Sequence, residues 1–363
     1  MGNEVDFLAV GDGSKSGDAI ALRFGNLDGN NKDEQVVVVI DGGFKESGEN
    51  LVKHIKKYYK TDRVDLAILT HPDADHAAGL EVVLKELKVD CLWMHQPWNH
   101  TEDIANMFKD GKVTDKSVSE ALRKSLENAR LLENLANLKG IQILEPFAGL
   151  QDESGCITVI GPTEDYYESL LPEFQSTPES EGRYSFLAEA MTAISEFAKK
   201  IAETFDYETL DDSGETTAEN NSSVILILQI DGKVLLFTGD AGIPALALAA
   251  DYLEDEGINH SDIYFIQVPH HGSKRNVGPS VLNCLVGPIL DEDEYKKIKT
   301  AFVSVAKDGA PKHPAKKVTN AFRRRGAPVY ATKDKPIWHH DGAPNRDNYS
   351  AMEPLPFYDE VEE

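Results

Sequence analysis

Cysteine, basic residues and long apolar runs are all scarce in this chain. Its 363 residues contain three cysteines, Cys91, Cys156 and Cys284. Because these are scattered and odd in number, a disulfide framework and a thiolate metal cluster are both disfavoured. No apolar run is long enough to span a bilayer, and the first residues lack the basic and then apolar order of a secretory signal. We therefore expect a cytoplasmic protein with reduced thiols and no membrane partner.

The shortage of basic residues makes the chain strongly acidic. It has 37 Lys and Arg against 62 Asp and Glu, which gives a net charge of −25. Proteins that hold nucleic acid across a broad surface usually carry the opposite sign, so broad DNA binding is disfavoured. A nuclease stays compatible with this composition, because bound cations reverse the local charge at the site itself.

Apolar runs rich in β-branched residues recur along the chain and predict strands. Many of them are continuous rather than alternating, which is typical of a sheet that is covered on both faces. The predicted strands are residues 5–10, 20–24, 36–40, 64–69, 157–160, 224–230, 234–237, 263–268 and 301–305.

Helical patterns lie between several of the predicted strands. Residues 50–59, 79–87 and 315–325 carry apolar side chains at helical spacing, and Gly326 follows the last of them as a stop signal. Strands and helices in this order predict a layered α/β fold. Since the sequence shows no internal repeat and no linker, we expect a single domain across residues 1–363.

Two regions, at about residues 100–140 and 165–215, interrupt this order and are interpreted as helical insertions. Their helical patterns cover residues 117–138 and 184–204, and residues 211–221 predict a polar loop. The apolar stripes of these helices are most simply packing faces. Such insertions can cover a site, or they can form a surface for a partner protein or a second copy of the chain.

The segment 70–76 has the strongest chemical signal in the sequence. It reads Thr-His-Pro-Asp-Ala-Asp-His and directly follows the predicted strand 64–69. Its candidate metal ligands are His71, Asp73, Asp75 and His76. Imidazole and carboxylate together suit zinc, manganese or iron, and the adjacent Asp75 and His76 diverge, which suits two neighbouring ions. A polar turn would account for the proline and the aspartates, but not for the two histidines.

Two more predicted strands lead into metal-binding side chains. The strand 234–237 is followed by Thr-Gly-Asp, ending at Asp240, and the strand 263–268 is followed by Pro-His-His-Gly, with His270 and His271. A carboxylate at Asp240 can bridge two cations, although Gly-Asp after a strand is also a common turn. One histidine of the pair is a candidate ligand and the other a candidate proton donor. We assign the ligand role to His270, and the reverse assignment stays open.

Four further residues are candidates for supporting roles. His313 lies in Lys-His-Pro before a predicted helix, and it can either reach the site or cap that helix. Asp41 follows the strand 36–40, where it can accept hydrogen bonds from the loop that bears the ligands or belong to a plain turn. Ser273 and Lys274 can bind a phosphate group of a substrate.

Taken in order, these segments resemble the metallo-β-lactamase superfamily. The likeness is greatest to the soluble domain of the ComEC-type DNA-uptake competence proteins, whose loop reads His-x-Asp-x-Asp-His, as residues 71–76 do here. An Asn/Ser-rich strand entry at residues 220–224, a Thr-Gly-Asp, a His-His-Gly-Ser and a late His-Pro follow in the same order. The superfamily's central third histidine has no clear counterpart, and His95 and His100 are the nearby candidates.

The resemblance implies a four-layer αββα sandwich with helical insertions, and two divalent metal ions, zinc or manganese, at one edge of its sheets. It implies hydrolysis of phosphodiesters, with nucleic acid among the candidate substrates. Carried over by position, the metal ligands are His71, Asp73, Asp75, His76, Asp240 and His270. The catalytic residues are Asp75, which orients or deprotonates the attacking water, and His271 and His313, which can protonate the leaving oxygen.

Two other functions are compatible with the same pattern. A hydrolase of a small ester, lactone or lactam would keep the scaffold, because fold does not fix substrate. A non-catalytic partner protein would keep the metal for stability. Lys316, Lys317 and residues 323–325 form a basic helix face that can hold a nucleic-acid backbone, or that serves only the helix dipole.

Overall fold

The computed structural model of the protein describes most of the chain. It covers residues 1–11, 13, 15–27, 34–102, 104, 114–174, 208–291, 296–309, 313–347 and 349–361. The helical pattern at residues 184–204 lies outside these ranges, so that part of the second insertion stays a prediction. In the part of the chain that is described, no helix is both long and apolar enough to cross a membrane.

Thirteen strands within the described residues form two sheets. The strands are β1 (Gly2–Phe7), β2 (Ala19–Gly25), β3 (Gln35–Gly42), β4 (Arg63–Ile68), β5 (Lys88–Trp93), β6 (Gln142–Leu144), β7 (Ile157–Gly161), β8 (Ile225–Ile230), β9 (Lys233–Phe237), β10 (Ile263–Gln267), β11 (Thr300–Val303), β12 (Val329–Ala331) and β13 (Ile337–Asp341). The first sheet has the order β13-β1-β2-β3-β4-β5-β6, and the second has the order β12-β11-β10-β9-β8-β7. Pairs are parallel from β3 to β6 and from β9 to β12, and antiparallel elsewhere.

Helices lie outside the two sheets. Those within the described ranges are α1 (Lys45–His54), α2 (Ala74–Ala77), α3 (Leu80–Glu86), α4 (Asp115–Ser125), α5 (Glu127–Lys139), α6 (Glu164–Leu170), α7 (Ala218–Asn221), α8 (Ile243–Asp255), α9 (Pro279–Leu285) and α10 (Lys316–Arg324). One π-helical turn, Ile55–Tyr59, continues α1. A short 3₁₀ turn, His270–Gly272, follows β10.

Three apolar clusters hold these elements in four layers. The cluster between the sheets includes Phe7, Ile40, Phe237 and Phe265, which come from both sheets. A second cluster joins the first sheet to α1, α3 and α5, and a third joins the second sheet to α6, α8, α9 and α10. Burial of this apolar surface stabilises the fold by about 25 cal/mol per Å² removed from water. The predicted four-layer αββα sandwich is confirmed.

Residues 117–138, interpreted as part of an insertion, form two consecutive helices separated at Leu126. In α5, Ala129, Leu132 and Ala136 pack into the same cluster as α3. This region therefore supplies part of the outer helical layer over the first sheet. The polar loop predicted at residues 211–221 ends in the short helix α7.

Strand pairing brings the polar segments of the sequence to one edge of the molecule. Ile40 of β3 lies opposite Ile68 of β4, and Leu236 of β9 lies opposite Ile266 of β10. Because parallel strands end at the same edge of a sheet, the loops that follow these four strands are neighbours. The two sheets also meet there, since the backbone N–H of Val224 donates a hydrogen bond to the carbonyl of Thr70 at 2.9 Å.

A buried ion network ties the C-terminal part of the chain to β1. Arg346 donates hydrogen bonds to both carboxylate oxygens of Asp6, at 2.6 and 2.8 Å, and to Glu4 at 2.5 Å. Aromatic rings surround the guanidinium, with centroids 4.8, 4.5 and 5.3 Å away, and they belong to Tyr58, Trp338 and Tyr349. The network thus joins residues from the two ends of the sequence.

Replacing Arg346 by Met should lower the free energy of unfolding by about 3 kcal/mol, because the Asp6 carboxylate then stays buried without its guanidinium partner. Urea denaturation of the purified variant measures this. The matched control is Lys335→Met, which removes an exposed cation and should change the free energy by less than about 0.5 kcal/mol. Equal effects of the two substitutions would contradict the stabilising role of Arg346 beside Asp6.

Candidate metal centre

Five side chains from three segments converge at the edge where the strands end. His71 and His76 come from the loop after β4, Asp240 from the turn after β9, and His270 and His271 from the turn after β10. The Nε2 atoms of the four histidines lie 3.9, 3.5, 3.6 and 3.9 Å, in that order, from Oδ2 of Asp240. Segments that are far apart in the sequence therefore meet around one carboxylate oxygen.

The spacing of these atoms is that of ligands around cations. Two donors bound to one zinc ion at about 2.0–2.1 Å in tetrahedral geometry lie roughly 3.3 Å apart. Within the described residues, Nε2 of His71, His76 and His271 and Oδ1 of Asp240 are buried and have no hydrogen-bond partner. Buried polar atoms without partners are costly and uncommon. Bound divalent cations would satisfy these atoms, so the donor set fits such ions.

Asp41 orients the imidazoles of His71 and His76. The backbone N–H and the hydroxyl of Thr70 donate hydrogen bonds to the two oxygens of Asp41, at 2.8 and 2.6 Å. Because the hydroxyl proton of Thr70 is used in this way, its oxygen accepts from Nδ1 of His71 at 3.1 Å. Nδ1 of His76 donates to Asp41 at 2.7 Å. Both rings are therefore protonated at Nδ1 and keep Nε2 free to bind a metal.

The same arrangement holds for His270 and His271. Nδ1 of His271 donates to the carbonyl of Ser304 at 3.0 Å. Nδ1 of His270 lies 2.8 Å from Oδ1 of Asn276, whose Nδ2 donates to the carbonyl of Asp240 at 2.8 Å. The Asn276 oxygen is therefore an acceptor, and both imidazoles again direct Nε2 toward the centre. Both histidines reach Asp240, but among the described residues His271 belongs to two donor sets and His270 to none.

The backbone that presents these two histidines is strained. His270, His271 and Gly272 have φ values of 45°, 56° and 80°, which is three left-handed residues in succession. For the two histidines this conformation is unfavourable, and such strain is found where the surrounding structure fixes a functional side chain. It lets two consecutive side chains point toward the same carboxylate instead of to opposite sides.

The donors form overlapping sets around Asp240. One set is His71, His76 and Asp240, and another is Asp75, His76 and His271, with all candidate ligand atoms in each set within 4.8 Å of one another. Since Asp240 also lies 3.9 Å from His271, its carboxylate stands between the two sets. A carboxylate in this position can bridge two ions.

Asp75 and Asp73 differ in how far they enter the centre. Burial raises the pKa of Asp75, but the approach of His271 and the charge of His76 outweigh burial and lower the pKa to about 2. Asp75 is therefore ionised at neutral pH. Asp73 lies 3.7 Å from Nε2 of His71, its side chain is 46% exposed, and it belongs to none of the donor sets found among the described residues. The structure places Asp73 at the rim.

Asp18 also belongs to the centre, and sequence reasoning missed it. It directly precedes β2, and its candidate ligand atom lies within 4.8 Å of those of Asp240 and His271. Its backbone N–H donates to the carbonyl of Asp75 at 3.3 Å. The available signal was a carboxylate just before a predicted strand. No spacing in the sequence linked that carboxylate to the histidines, because the link depends on the pairing of β2 with β3.

Three predicted site residues lie beside the donor sets. The ring centroid of His313 is 6.0 Å from that of His270 and 6.3 Å from that of His271. Ser273 is buried, and its hydroxyl oxygen accepts a hydrogen bond from the backbone N–H of Arg275 at 3.2 Å. Lys274 is exposed. Ser273 and Lys274 directly follow Gly272 in the turn that carries His270 and His271, and their roles in substrate binding stay predictions.

His95 and His100, the candidates for a third central histidine, lie elsewhere. His95 stacks on Tyr167 with ring centroids 4.3 Å apart, and burial together with the charge of His100 lowers its pKa to about 3. His100 lies 3.0 Å from both Glu145 and Glu168; although burial opposes its charge, these carboxylates raise the pKa of His100 to about 9. Among the described residues, neither shares a donor set with His71 or His76.

Comparison with known proteins identifies one sequence family. A model described as the metallo-beta-lactamase superfamily matches residues 32–129. A search of curated proteins gives no match.

Several solved structures show a weak similarity to this chain. A Thermotoga maritima protein described as a metallo-beta-lactamase has 10% identity and a TM-score of 0.33, over 66% of this chain and 79% of its own. The hydrolase AbOPH of the beta lactamase superfamily has 10% identity and a TM-score of 0.32, over 68% and 71%. The CmlA beta-hydroxylase has 8% identity and a TM-score of 0.43, over 93% and 53%.

The family match includes the loop that holds His71 and His76, and it lies in a chain with two facing sheets between helical layers. Candidate metal donors occupy the edge where the parallel strands of both sheets end. Residues 32–129 are therefore similar to the metallo-beta-lactamase superfamily.

Proposed function

We propose that this protein is a metal-dependent hydrolase that cleaves phosphodiesters. One observation carries the proposal: four imidazole Nε2 atoms lie 3.5–3.9 Å from one buried oxygen of Asp240. Each of these imidazoles is held through its other nitrogen. Two divalent ions held by these donors would lower the pKa of a water molecule to near neutrality. The likeness of the loop at residues 71–76 to that of ComEC-type proteins supports a phosphodiester as the substrate.

Asp75 is the residue that would orient the attacking water. It is 32% exposed, so water reaches it, and it lies 3.9 Å from Nε2 of His271. Its pKa of about 2 makes it a weak base. Its contribution is therefore chiefly to hold the water by accepting a hydrogen bond, since efficient proton abstraction needs a pKa nearer to the working pH.

His313 and Lys274 would act on the substrate. His313 stands outside the donor sets found among the described residues, next to His270 and His271, and its imidazole would donate a proton to the leaving oxygen. Lys274, exposed on the same turn as the metal-binding histidines, would hold a nonbridging phosphate oxygen by charge. Neither role would take a donor away from the candidate metal centre.

The basic face of α10 that the sequence suggested for nucleic acid is engaged within the protein. Arg325 is buried and donates two hydrogen bonds to Glu208, each at 2.7 Å. The C-terminal segment contacts three more cations of this face, Arg323, Arg324 and Lys316. A phosphodiester would therefore be held beside the centre, by groups such as Lys274, rather than along this helix.

A second candidate function is hydrolysis of a small carboxylic ester or lactone. The engagement of the α10 cations favours it, because it removes the broad basic surface that a long nucleic acid needs. The metal donors would serve either reaction, since the fold does not fix the substrate. The two candidates differ in whether a cation beside the centre contributes to substrate binding.

Substitution of a proposed ligand should abolish hydrolysis. His76→Gln and Asp240→Asn each remove a donor from the centre, and we expect the turnover of bis-p-nitrophenyl phosphate with added manganese or zinc to fall by about 100-fold or more. The metal content of the purified variants should fall as well. His260→Gln, which changes a histidine outside the centre, is the control. Turnover that persists in both ligand variants would rule out the proposal.

Lys274 distinguishes the two candidate substrates. For a phosphodiester, Lys274→Ala should raise KM about fivefold, the equivalent of about 1 kcal/mol for one partly screened charge contact. The kinetics with p-nitrophenyl acetate should not change. Lys335→Ala serves as the matched control, because it removes an exposed lysine elsewhere. Equal effects on both substrates would count against a phosphate contact at Lys274.

A further inference from the structure

We propose that Asp18 is an oxygen ligand of the second metal ion, on the His271 side of Asp240, and that it makes this position prefer manganese. The inference rests on the proposed function, because it concerns the same centre. Asp18 lies before residue 32, where the family match begins. The structure alone brings it to the centre.

Asp18 is placed to bind a metal ion and not to orient an imidazole by a hydrogen bond. Its candidate ligand atom lies within 4.8 Å of those of Asp240 and His271. Its Oδ2 is 4.0 Å from Nδ1 of His76, which is too long for a hydrogen bond. That nitrogen is already bonded to Asp41 at 2.7 Å. Asp18 is therefore not needed to orient His76.

Gln267 holds Asp18 in place and links it to Asp240. Nε2 of Gln267 donates to Oδ2 of Asp18 at 2.9 Å. Its Oε1 accepts from the backbone N–H groups of Thr238 and Gly239, at 2.9 and 3.2 Å. Because both N–H groups need an oxygen, the amide group has one orientation, with its NH₂ toward Asp18. One side chain thus fixes the Asp18 carboxylate relative to the turn that carries Asp240.

The distribution of charge calls for a cation next to Asp18. Asp18, Asp41 and Asp240 are 2%, 0% and 3% exposed. In the described part of the chain, none of the three forms an ion pair with Lys or Arg, and their ion-pair partners are histidines of the centre. Buried carboxylates without compensating charge are strongly unfavourable. Divalent ions beside them supply that charge.

The ligands on the two sides of Asp240 differ in kind. The set of His71, His76 and Asp240 has two imidazoles and one carboxylate, whereas the set of Asp18, Asp240 and His271 has one imidazole and two carboxylates. Asp75 lies 3.9 Å from Nε2 of His271 as well. Carboxylate-rich sites favour manganese over zinc, because oxygen ligands suit the harder ion. Asp18 therefore gives the second ion position its preference for manganese over zinc.

Manganese binding tests this assignment through the variant Asp18→Asn, whose amide oxygen can still accept the hydrogen bond from Gln267. Metal-free protein is titrated with Mn²⁺, and free Mn²⁺ is measured by its electron paramagnetic resonance signal. We expect two sites in the unmodified protein. In the variant we expect one such site and a second that is weakened about tenfold or more. Asp65→Asn, which changes a carboxylate of β4 outside the centre, should behave like the unmodified protein.

Thermal unfolding of the metal-free proteins separates a ligand from a structural carboxylate. A ligand carries uncompensated charge when no ion is bound, so metal-free Asp18→Asn should melt at or above the temperature of the unmodified protein and gain less from added Mn²⁺. A variant that melts earlier without metal, or that fails to fold, would overturn the assignment. So would two unweakened sites, in which case the proposed function stands. An unmodified protein that binds neither Mn²⁺ nor Zn²⁺ would overturn both.

Discussion

The centre of this protein depends on the sharing of one buried carboxylate, that of Asp240, by imidazoles delivered from two sheets. His71 and His76 follow a strand of the first sheet, while Asp240 and the pair His270 and His271 follow strands of the second. The distance between the sheets is set by the aromatic and aliphatic side chains packed between them. Core packing and metal geometry are therefore coupled, because a change in sheet separation would move one half of the ligands relative to the other.

The orientation of the imidazoles is set by the groups that are hydrogen-bonded to their Nδ1 atoms. The Nδ1 atoms of the imidazoles donate hydrogen bonds to Thr70, Asp41, Asn276 and the Ser304 carbonyl. Thr70, Asp41 and Asn276 are themselves held by other hydrogen bonds. Asp41 supports two histidines at once, and Asn276 joins His270 to the backbone of Asp240. The left-handed backbone at His270 and His271 adds strain that these bonds maintain. The centre is thus prepared before an ion arrives, and its unsatisfied atoms are what an ion would stabilise.

Local patterns in the sequence were enough to predict the layered fold and to find most of the candidate donors. Continuous apolar runs marked strands buried on both faces, and a loop with two histidines and two aspartates after such a run marked the centre. Helix α8 was missed because it is apolar on most sides, which hides its period. Residues 117–138 read as an insertion, since nothing local shows that α5 packs against the first sheet. The place of Asp18 at the centre depends on strand pairing, which short sequence patterns do not encode.

The ion network at Arg346 affects the order in which the protein can be completed. Arg346 bonds to Asp6, 340 residues earlier, and β13 pairs with β1 at the edge of the first sheet. During synthesis, β1 emerges long before β13, its outer neighbour in the sheet. The edge of β1 and the acidic groups of Glu4 and Asp6 therefore stay without these partners until β13 and Arg346 have been made. Contacts of such long range slow folding, and an unpaired strand edge is a surface that other chains can join.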